Sequence, residues 1–188
     1  MISPRIETER LILRRWQDND LDAWAAICAD AEVMKYISDG KTRTRTQCAA
    51  MLMEFDAQWE ERGYSFFAME LRESNRFIGF TGFYSPGFLP EIMPAIEIGW
   101  RLSRYHWGRG LATEAARAAL AYAWDHLDID RLVSIVHLDN ERSANLCLKL
   151  GMSLDRETTT PRLEIPVRVF AIRRPCQATR RHGVPTRT

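Results

Sequence analysis

Cysteine is scarce in this 188-residue sequence. Cys28, Cys48, Cys147 and Cys176 are far apart and none belongs to a Cys-x-x-Cys, so neither a zinc knuckle nor a dithiol redox motif is written here. Free thiols in a reducing compartment are the simpler reading, and no metal is expected. No apolar run approaches the ~18 residues of a membrane-spanning helix, and the start, Met1-Ile2-Ser3-Pro4-Arg5, lacks an apolar signal core. A soluble cytoplasmic protein with no membrane partner is the expectation. No Gly-x-Gly-x-x-Gly follows the first strand and no Gly-Lys-Ser/Thr occurs, which excludes a Rossmann dinucleotide site and a P-loop. Acidic residues are missing from Arg173 to Thr188, which holds five of the 26 Lys and Arg and none of the 25 Asp and Glu. Residues 173–188 read as a basic, disordered tail with no nucleic-acid role.

What is present is an ordinary globular composition, 46% hydrophobic and 27% charged, long enough for one core without disulfide or metal support. Thr8 to Trp16 reads as a strand, followed by a helix over residues 20–30 that Asp18 or Asp20 caps. A second helix runs from near Thr44 to Arg62 on the stripe Cys48, Met51, Leu52, Phe55 and Trp59, and Gly63 stops it. Period two then gives a hairpin, Tyr64 to Leu71 and Arg76 to Tyr84, and another strand, Ala95 to Leu102. A helix from Leu111, a strand over residues 130–137, a helix capped by Asp139 or Asn140, and two strands, Met152 to Arg156 and Ile165 to Ile172, complete one domain over residues 1–172. The fold class is α/β: a mixed, mostly antiparallel sheet of about seven strands with about four helices on both faces.

Between the strand ending at Leu102 and the helix starting at Leu111 lies Trp107-Gly108-Arg109-Gly110-Leu111-Ala112-Thr113-Glu114-Ala115. Amides at a helix start have no intrahelical partners, and the helix dipole adds roughly half a positive charge there, so a pyrophosphate can dock on main chain alone. Gly108 and Gly110 permit positive φ and close approach of a ligand.

The ordered set Glu97-Ile98-Gly99-Trp100-Arg101-Leu102, the glycine turn, Asn140-x-x-Ser143 and Lys149-Leu150-Gly151-Met152 resembles the core of the GNAT superfamily of N-acetyltransferases. More closely, it resembles the branch that contains the ribosomal-protein N-terminal acetyltransferases and many uncharacterised bacterial relatives, and weaker agreement extends through Thr8-Glu9-Arg10-Leu11-Ile12-Leu13-Arg14 and Phe77-Ile78-Gly79-Phe80. The resemblance implies acetyl-CoA as cosubstrate and a sheet splayed at its site. The pyrophosphate would lie on amides of Arg109, Gly110, Leu111, Ala112 and Thr113, with Trp107 and Gly108 also in the cofactor site, and the pantetheine arm would pair with the strand around Trp100 and Leu102. Asn140 would hold the arm, with Ser143 beside it.

Two positions depart from the family pattern: Trp107 stands where the turn begins with Gln or Arg, and Cys147 where many members place a tyrosine acid. A thiolate leaves without strong acid help, so the reaction survives while the acid stays unassigned. Glu97 is the candidate base, with His106 and His137 behind it. The acceptor groove would lie between residues 24–59 and 156–172, near Trp16, Tyr36, Trp59, Phe66 and Phe170. The expected activity is acetyl transfer to a primary amine, on a protein or peptide N-terminus or a small molecule, by a monomer or homodimer. A catalytically idle acyl-CoA-binding or sensing module is the alternative.

Overall fold

The period-two pattern after Gly63 produces the centre of the sheet, β3 (Phe66–Leu71) and β4 (Arg76–Tyr84), paired antiparallel. Around them stand β1 (Ile6–Glu7), β2 (Leu11–Arg14), β5 (Glu97–Leu102), β6 (Arg131–His137), β7 (Ser153–Thr159) and β8 (Pro166–Arg173) in this computed structural model, which describes residues 4–175. The sheet order is β1-β2-β3-β4-β5-β6-β8-β7, and β5–β6 is its one parallel pair.

Five α-helices accompany the sheet: α1 (Leu21–Cys28), α2 (Ala31–Met34), α3 (Arg45–Arg62), α4 (Leu111–His126) and α5 (Glu141–Lys149). The count exceeds the expected seven strands and four helices by β1 and the single-turn α2. The expected first strand over Thr8–Trp16 is shorter because the Thr8 N–H bonds Leu11 O at 2.9 Å, making a turn that frees Ile6 and Glu7 to pair with Leu13 and Ile12.

Alternation along the strands divides the core between two faces. Leu11, Leu13, Phe67, Met69, Ile78, Ile98 and Leu102 meet α4 and α5, while Phe66 and Phe80 meet Trp24, Ile27, Cys28 and Phe55 of α1 and α3. Ala115, Ala116, Ala119 and Ala123 are all 0% exposed, so α4 presses its backbone almost directly onto the sheet. Thr44 and Gln47 form the capping box of α3, and Gly63 ends it in the left-handed conformation.

Neither Asp18 nor Asp20 caps α1 by a side-chain bond. Asp20 is 2% exposed and takes both ends of the Arg14 guanidinium at 2.7 and 2.8 Å, an arrangement that also includes Glu70. The boundary expected at residue 173 also shifts. Arg173 closes β8, and Arg174 is anchored by Leu127 O at 2.6 Å and Asp130 O at 2.8 Å. Residues 176–188, the rest of the expected tail, lie outside the described residues, as does Cys176. The other three cysteines are buried free thiols. Among the described residues, no helix is long and apolar enough to cross a membrane.

Candidate functional site

At its start, β5 pairs with β6 through a single register match, Glu97 with Val133, and the Val133 N–H donates to Ile96 O at 3.0 Å. A continuing parallel ladder would send the Ile135 N–H to Ile98 O. Instead Glu97 Oε1 accepts that amide at 3.3 Å, and the strands part from there. A carboxylate thus occupies the apex of a V that opens toward the carboxyl ends of both strands. Beyond the Ile98 N–H, which the Glu97–Val133 pair uses, the edge of β5 from Ile98 O through Trp100 to Leu102 faces into it with no ladder partner among the described residues, apart from Leu102 O.

That carbonyl is taken by the Trp107 indole N–H at 3.0 Å. The tryptophan therefore ends β5 and fixes the start of the turn, a use for this side chain that its departure from the family pattern did not reveal. Gly108 and Gly110 have φ of +73° and +77°, a region costly to residues with a Cβ. The Arg109 amide closes the turn over Trp107 and Gly108; among the described residues, the amides of Gly110, Leu111, Ala112 and Thr113 have no intramolecular acceptor, and the first helical bond is Glu114 N–H to Gly110 O at 3.0 Å. Four successive donors at a positive helix end fit a diphosphate, and the unpaired β5 edge fits an amide-bearing arm. The residues present therefore match acetyl-CoA chemically.

Glu114 holds this turn in place. Its carboxylate accepts from Thr8 Oγ1 at 2.6 Å, from the Arg10 amide at 2.9 Å and from Arg10 Nε at 2.7 Å, while Arg10 Nη1 reaches Arg109 O at 3.0 Å. Burial works against that carboxylate, but these hydrogen bonds prevail and hold its pKa below the usual range. Across the V, Asn140 Oδ1 accepts from the Ser143 N–H at 3.2 Å and caps α5, and the Arg142 guanidinium lies 4.9 Å from the Trp107 ring centre. The turn, the β5 edge and the first turn of α5 are thereby neighbours. A separate cleft of about 570 Å³, lined by Arg62, Tyr64, Asp128 and Arg131, sits at the opposite, amino ends of β5 and β6. Strand polarity places ligands at carboxyl ends, which favours the glycine turn over this cleft.

Residues 10–153 match a family model described as the Acetyltransferase (GNAT) domain. The chain belongs to this acetyltransferase family. An uncharacterized N-acetyltransferase of Bacillus subtilis (strain 168), YoaA, is 32% identical over 148 residues, 79% of this chain and 82% of the relative. The crystal structure of an acetyltransferase from Agrobacterium tumefaciens str. C58 superposes with a TM-score of 0.78 at 27% identity, covering 91% of this chain and 95% of the other. The ribosomal L7/L12 alpha-N-protein acetyltransferase RimL, solved with coenzyme A, gives a TM-score of 0.74 at 16% identity over 90% of this chain and 98% of its own.

Within this GNAT domain, burial raises the Glu97 pKa to about 7, against the modest lowering by the Ile135 amide. No arginine pairs with it among the described residues. Cys147 is 0% exposed and burial pushes its thiol up to about 12, so it is sealed from the V and poorly suited to donate a proton. His106 is equally enclosed. It is 8% exposed, its Nδ1 lacks a partner, and burial together with Arg109 and Arg76 lowers its pKa. His137 lies against Tyr36 with the rings tilted by 40° and their centres 5.2 Å apart, and accepts the Asp139 amide on Nδ1 at 3.1 Å. Of the aromatic residues expected along the acceptor groove, Trp59, Phe66 and Phe170 are only 3–9% exposed core residues. Trp16 packs among Trp24, Phe55 and Phe77, which leaves Tyr36 at the mouth.

Thr8, Arg10, Glu114 and Arg142 carry no role that the sequence alone reveals. Thr8, Arg10 and Glu114 sit inside stretches quoted for the resemblance, yet their joint role needed contacts more than 100 residues apart. Arg101 was also passed over. It lies on the opposite side of β5 from Trp100, its guanidinium 5.1 Å from the Trp24 ring and 5.4 Å from Phe80.

Proposed function

We propose that this protein is an N-acetyltransferase that moves the acetyl group of acetyl-CoA to a primary amine by direct attack. The observation that carries this reading is the run of unpaired amides from Gly110 to Thr113 beside the parted edge of β5. In this reading, those amides and Arg109 neutralise the pyrophosphate, Trp100 and Leu102 pair with the pantetheine arm, and Asn140 and Ser143 border it. Acetyl-CoA supplies the activated acyl carbon.

Glu97 then serves the amine. An amine must lose a proton to attack, and a carboxylate whose pKa lies near neutrality is suited to receive it, directly or through water. As the new C–N bond forms, the C–S bond breaks and CoA leaves as a thiolate, which needs little acid help. The Ile135 amide fixes the Glu97 carboxylate at the apex of the V and keeps one oxygen oriented.

The sealed Cys147 favours one other reading, an idle module that binds acyl-CoA without turnover. Release of CoA thiol from acetyl-CoA, followed with peptide N-termini, polyamines and amino acids as acceptors, separates the two. The transferase reading expects amine-dependent release together with CoA binding. Tight CoA binding with no release on any amine would leave the idle module.

A further inference from the structure

The arginines around α1 and α2 come with acids. Arg14 has Asp20 and Glu70, and the arginines next to the α1–α2 region are matched as well, Arg43 with Asp39 at 2.7 Å and Arg104 with Asp30 at 2.9 Å. Arg101 breaks this pattern. It has no carboxylate within ion-pair distance, and all of the chain's Asp and Glu lie within residues 4–175, so none is left to reach it.

What Arg101 has instead is a rigid apolar holder. Trp24 and Phe80 flank the guanidinium, and Nη1 points at Cys28 Sγ and Met34 Sδ, each 3.6 Å away and each a weak acceptor. Among the described residues, the Nε–H is sealed and has no acceptor, whereas Nη2, also without a partner, retains contact with solvent. Burial drives the Arg101 pKa down, and Arg43 adds like-charge repulsion; both thiols facing it are buried and hold their protons. An uncompensated guanidinium in such surroundings is costly unless an anion completes it.

Position supplies the second half. Strand alternation sets Glu97, Gly99 and Arg101 on one face of β5, toward α1 and α3, and Gly99 contributes no side chain between the other two. The carboxylate at the apex of the V and the guanidinium thus stand on the same surface, about 13 Å apart along the strand.

We propose that Arg101 is the anchor for a carboxylate carried by the acceptor, so that the protein acetylates amines bearing an acid group and discriminates against neutral or polycationic amines. This rests on the acetyltransferase reading above. A guanidinium donating from its open Nη2 to a carboxylate among apolar neighbours orients the acceptor as well as holding it, and Trp24 and Phe80 fix the group before the acceptor arrives. The carboxylate belongs either to a free amino acid or to an acidic first residue of a peptide.

The test uses the full chain and matched probes. Glycine, alanine, phenylalanine and glutamate are each supplied as the acid and as the carboxamide, tripeptide amides beginning with Asp are compared with those beginning with Asn, and spermidine serves as the polycation. Thiol release gives kcat and KM, and calorimetry with CoA present gives the affinity of the N-acetylated acids and amides without requiring turnover. At least one acid should be preferred over its amide by about 30-fold, mostly in KM, as expected for a charge-assisted pair. Arg101→Met should remove that preference while CoA affinity is kept, and Arg101→Lys should retain part of it. Acid preference among free amino acids or among Asp peptides tells the two sources apart. Acid-selective binding without turnover would sink the transferase reading and uphold this site. Equal binding of acids and amides, no binding of any probe, or a preference surviving in Arg101→Met would overturn it. If Arg101→Met fails to fold, the parent's selectivity and Arg101→Lys decide.

Discussion

Toward α4, β5 shows Ile98, Trp100 and Leu102; toward α1 and α3 it shows Glu97, Gly99 and Arg101. The proposed donor region beside the first face is built mostly from main chain: unpaired amides at residues 110–113, the open β5 edge, and side chains such as Trp107 and Glu114 that hold those groups in position. The second face is built from ionisable and aromatic side chains in a crowded apolar setting. Main-chain donors do not vary with sequence, so a cosubstrate shared across a family suits the first. Side chains can be exchanged one at a time, so an acceptor that differs between relatives suits the second.

Glu97 belongs to both regions, and its replacement tests whether they act separately. In Glu97→Gln the amide oxygen still accepts from Ile135, so the V should persist. Turnover should fall roughly 100-fold, the range of a lost general base, while CoA affinity by calorimetry stays within about twofold. The parent's kcat/KM should rise as pH passes about 7, and the variant should lose that step. Stability follows a defined sign. The folded carboxyl holds its proton up to about 7 whereas the unfolded one releases it near 4.5, so this group lowers stability as pH rises through that window. The thermal midpoint of Glu97→Gln should therefore gain on the parent between about pH 5 and pH 8. A collapse of CoA affinity would show that the carboxylate chiefly holds the strands apart, and the comparison of faces would fail.

Gly110 isolates the donor side. A Cβ there would meet Arg10 Nη2 at 3.5 Å, an ordinary contact, so the side chain has room and only the positive φ is strained. Gly110→Ala measures that strain, about 1–2 kcal/mol. Gly110→Asp adds a negative charge against the pyrophosphate and should weaken CoA binding at least about tenfold beyond the alanine variant. Equal affinities of the two variants would remove the phosphate site from this turn. Selectivity among acceptors, measured at saturating acetyl-CoA, should not change.

This asymmetry also explains what could be read from the residues alone. The glycines at 108 and 110 mark a strand-to-helix turn because positive φ and a helix start are local properties, and Asn140 three residues before Ser143 is legible as a cap for the same reason. Sheet order and the β5–β6 parting follow from pairing residues far apart, so the seat of Glu97 at the apex could not be seen in the spacing. Nor could the isolation of Arg101: Arg101 in the sequence looks like any exposed strand arginine, and only the positions of Asp30, Asp39 and Asp20 show that the nearby acids serve other partners. Trp16, Trp59 and Phe66 look like groove residues because aromatic spacing does not distinguish a lining from a core. The α1–α3 face uses Trp16 and Phe66 as core, and Trp59 joins the core on the α4 side against Phe67.

The smallest expected effect concerns Trp107, where a donor-side function has moved from main chain onto a side chain. Its indole N–H occupies Leu102 O, the last acceptor on the β5 edge, while its ring supports Arg142. Trp107→Phe keeps a ring for Arg142 and deletes only the hydrogen bond, worth about 1 kcal/mol net, so the thermal midpoint should drop by a few degrees. CoA affinity carries the discriminating information. If the pantetheine arm pairs upstream, around Ile98 and Trp100, the freed carbonyl is merely unsatisfied and affinity should fall about threefold. If the arm reaches as far as Leu102, the freed carbonyl becomes an acceptor for it and affinity should hold or rise although the protein itself is less stable. Divergence of the two measurements would therefore locate the end of the arm on β5, and would show that Trp107 competes with the cosubstrate for the same edge.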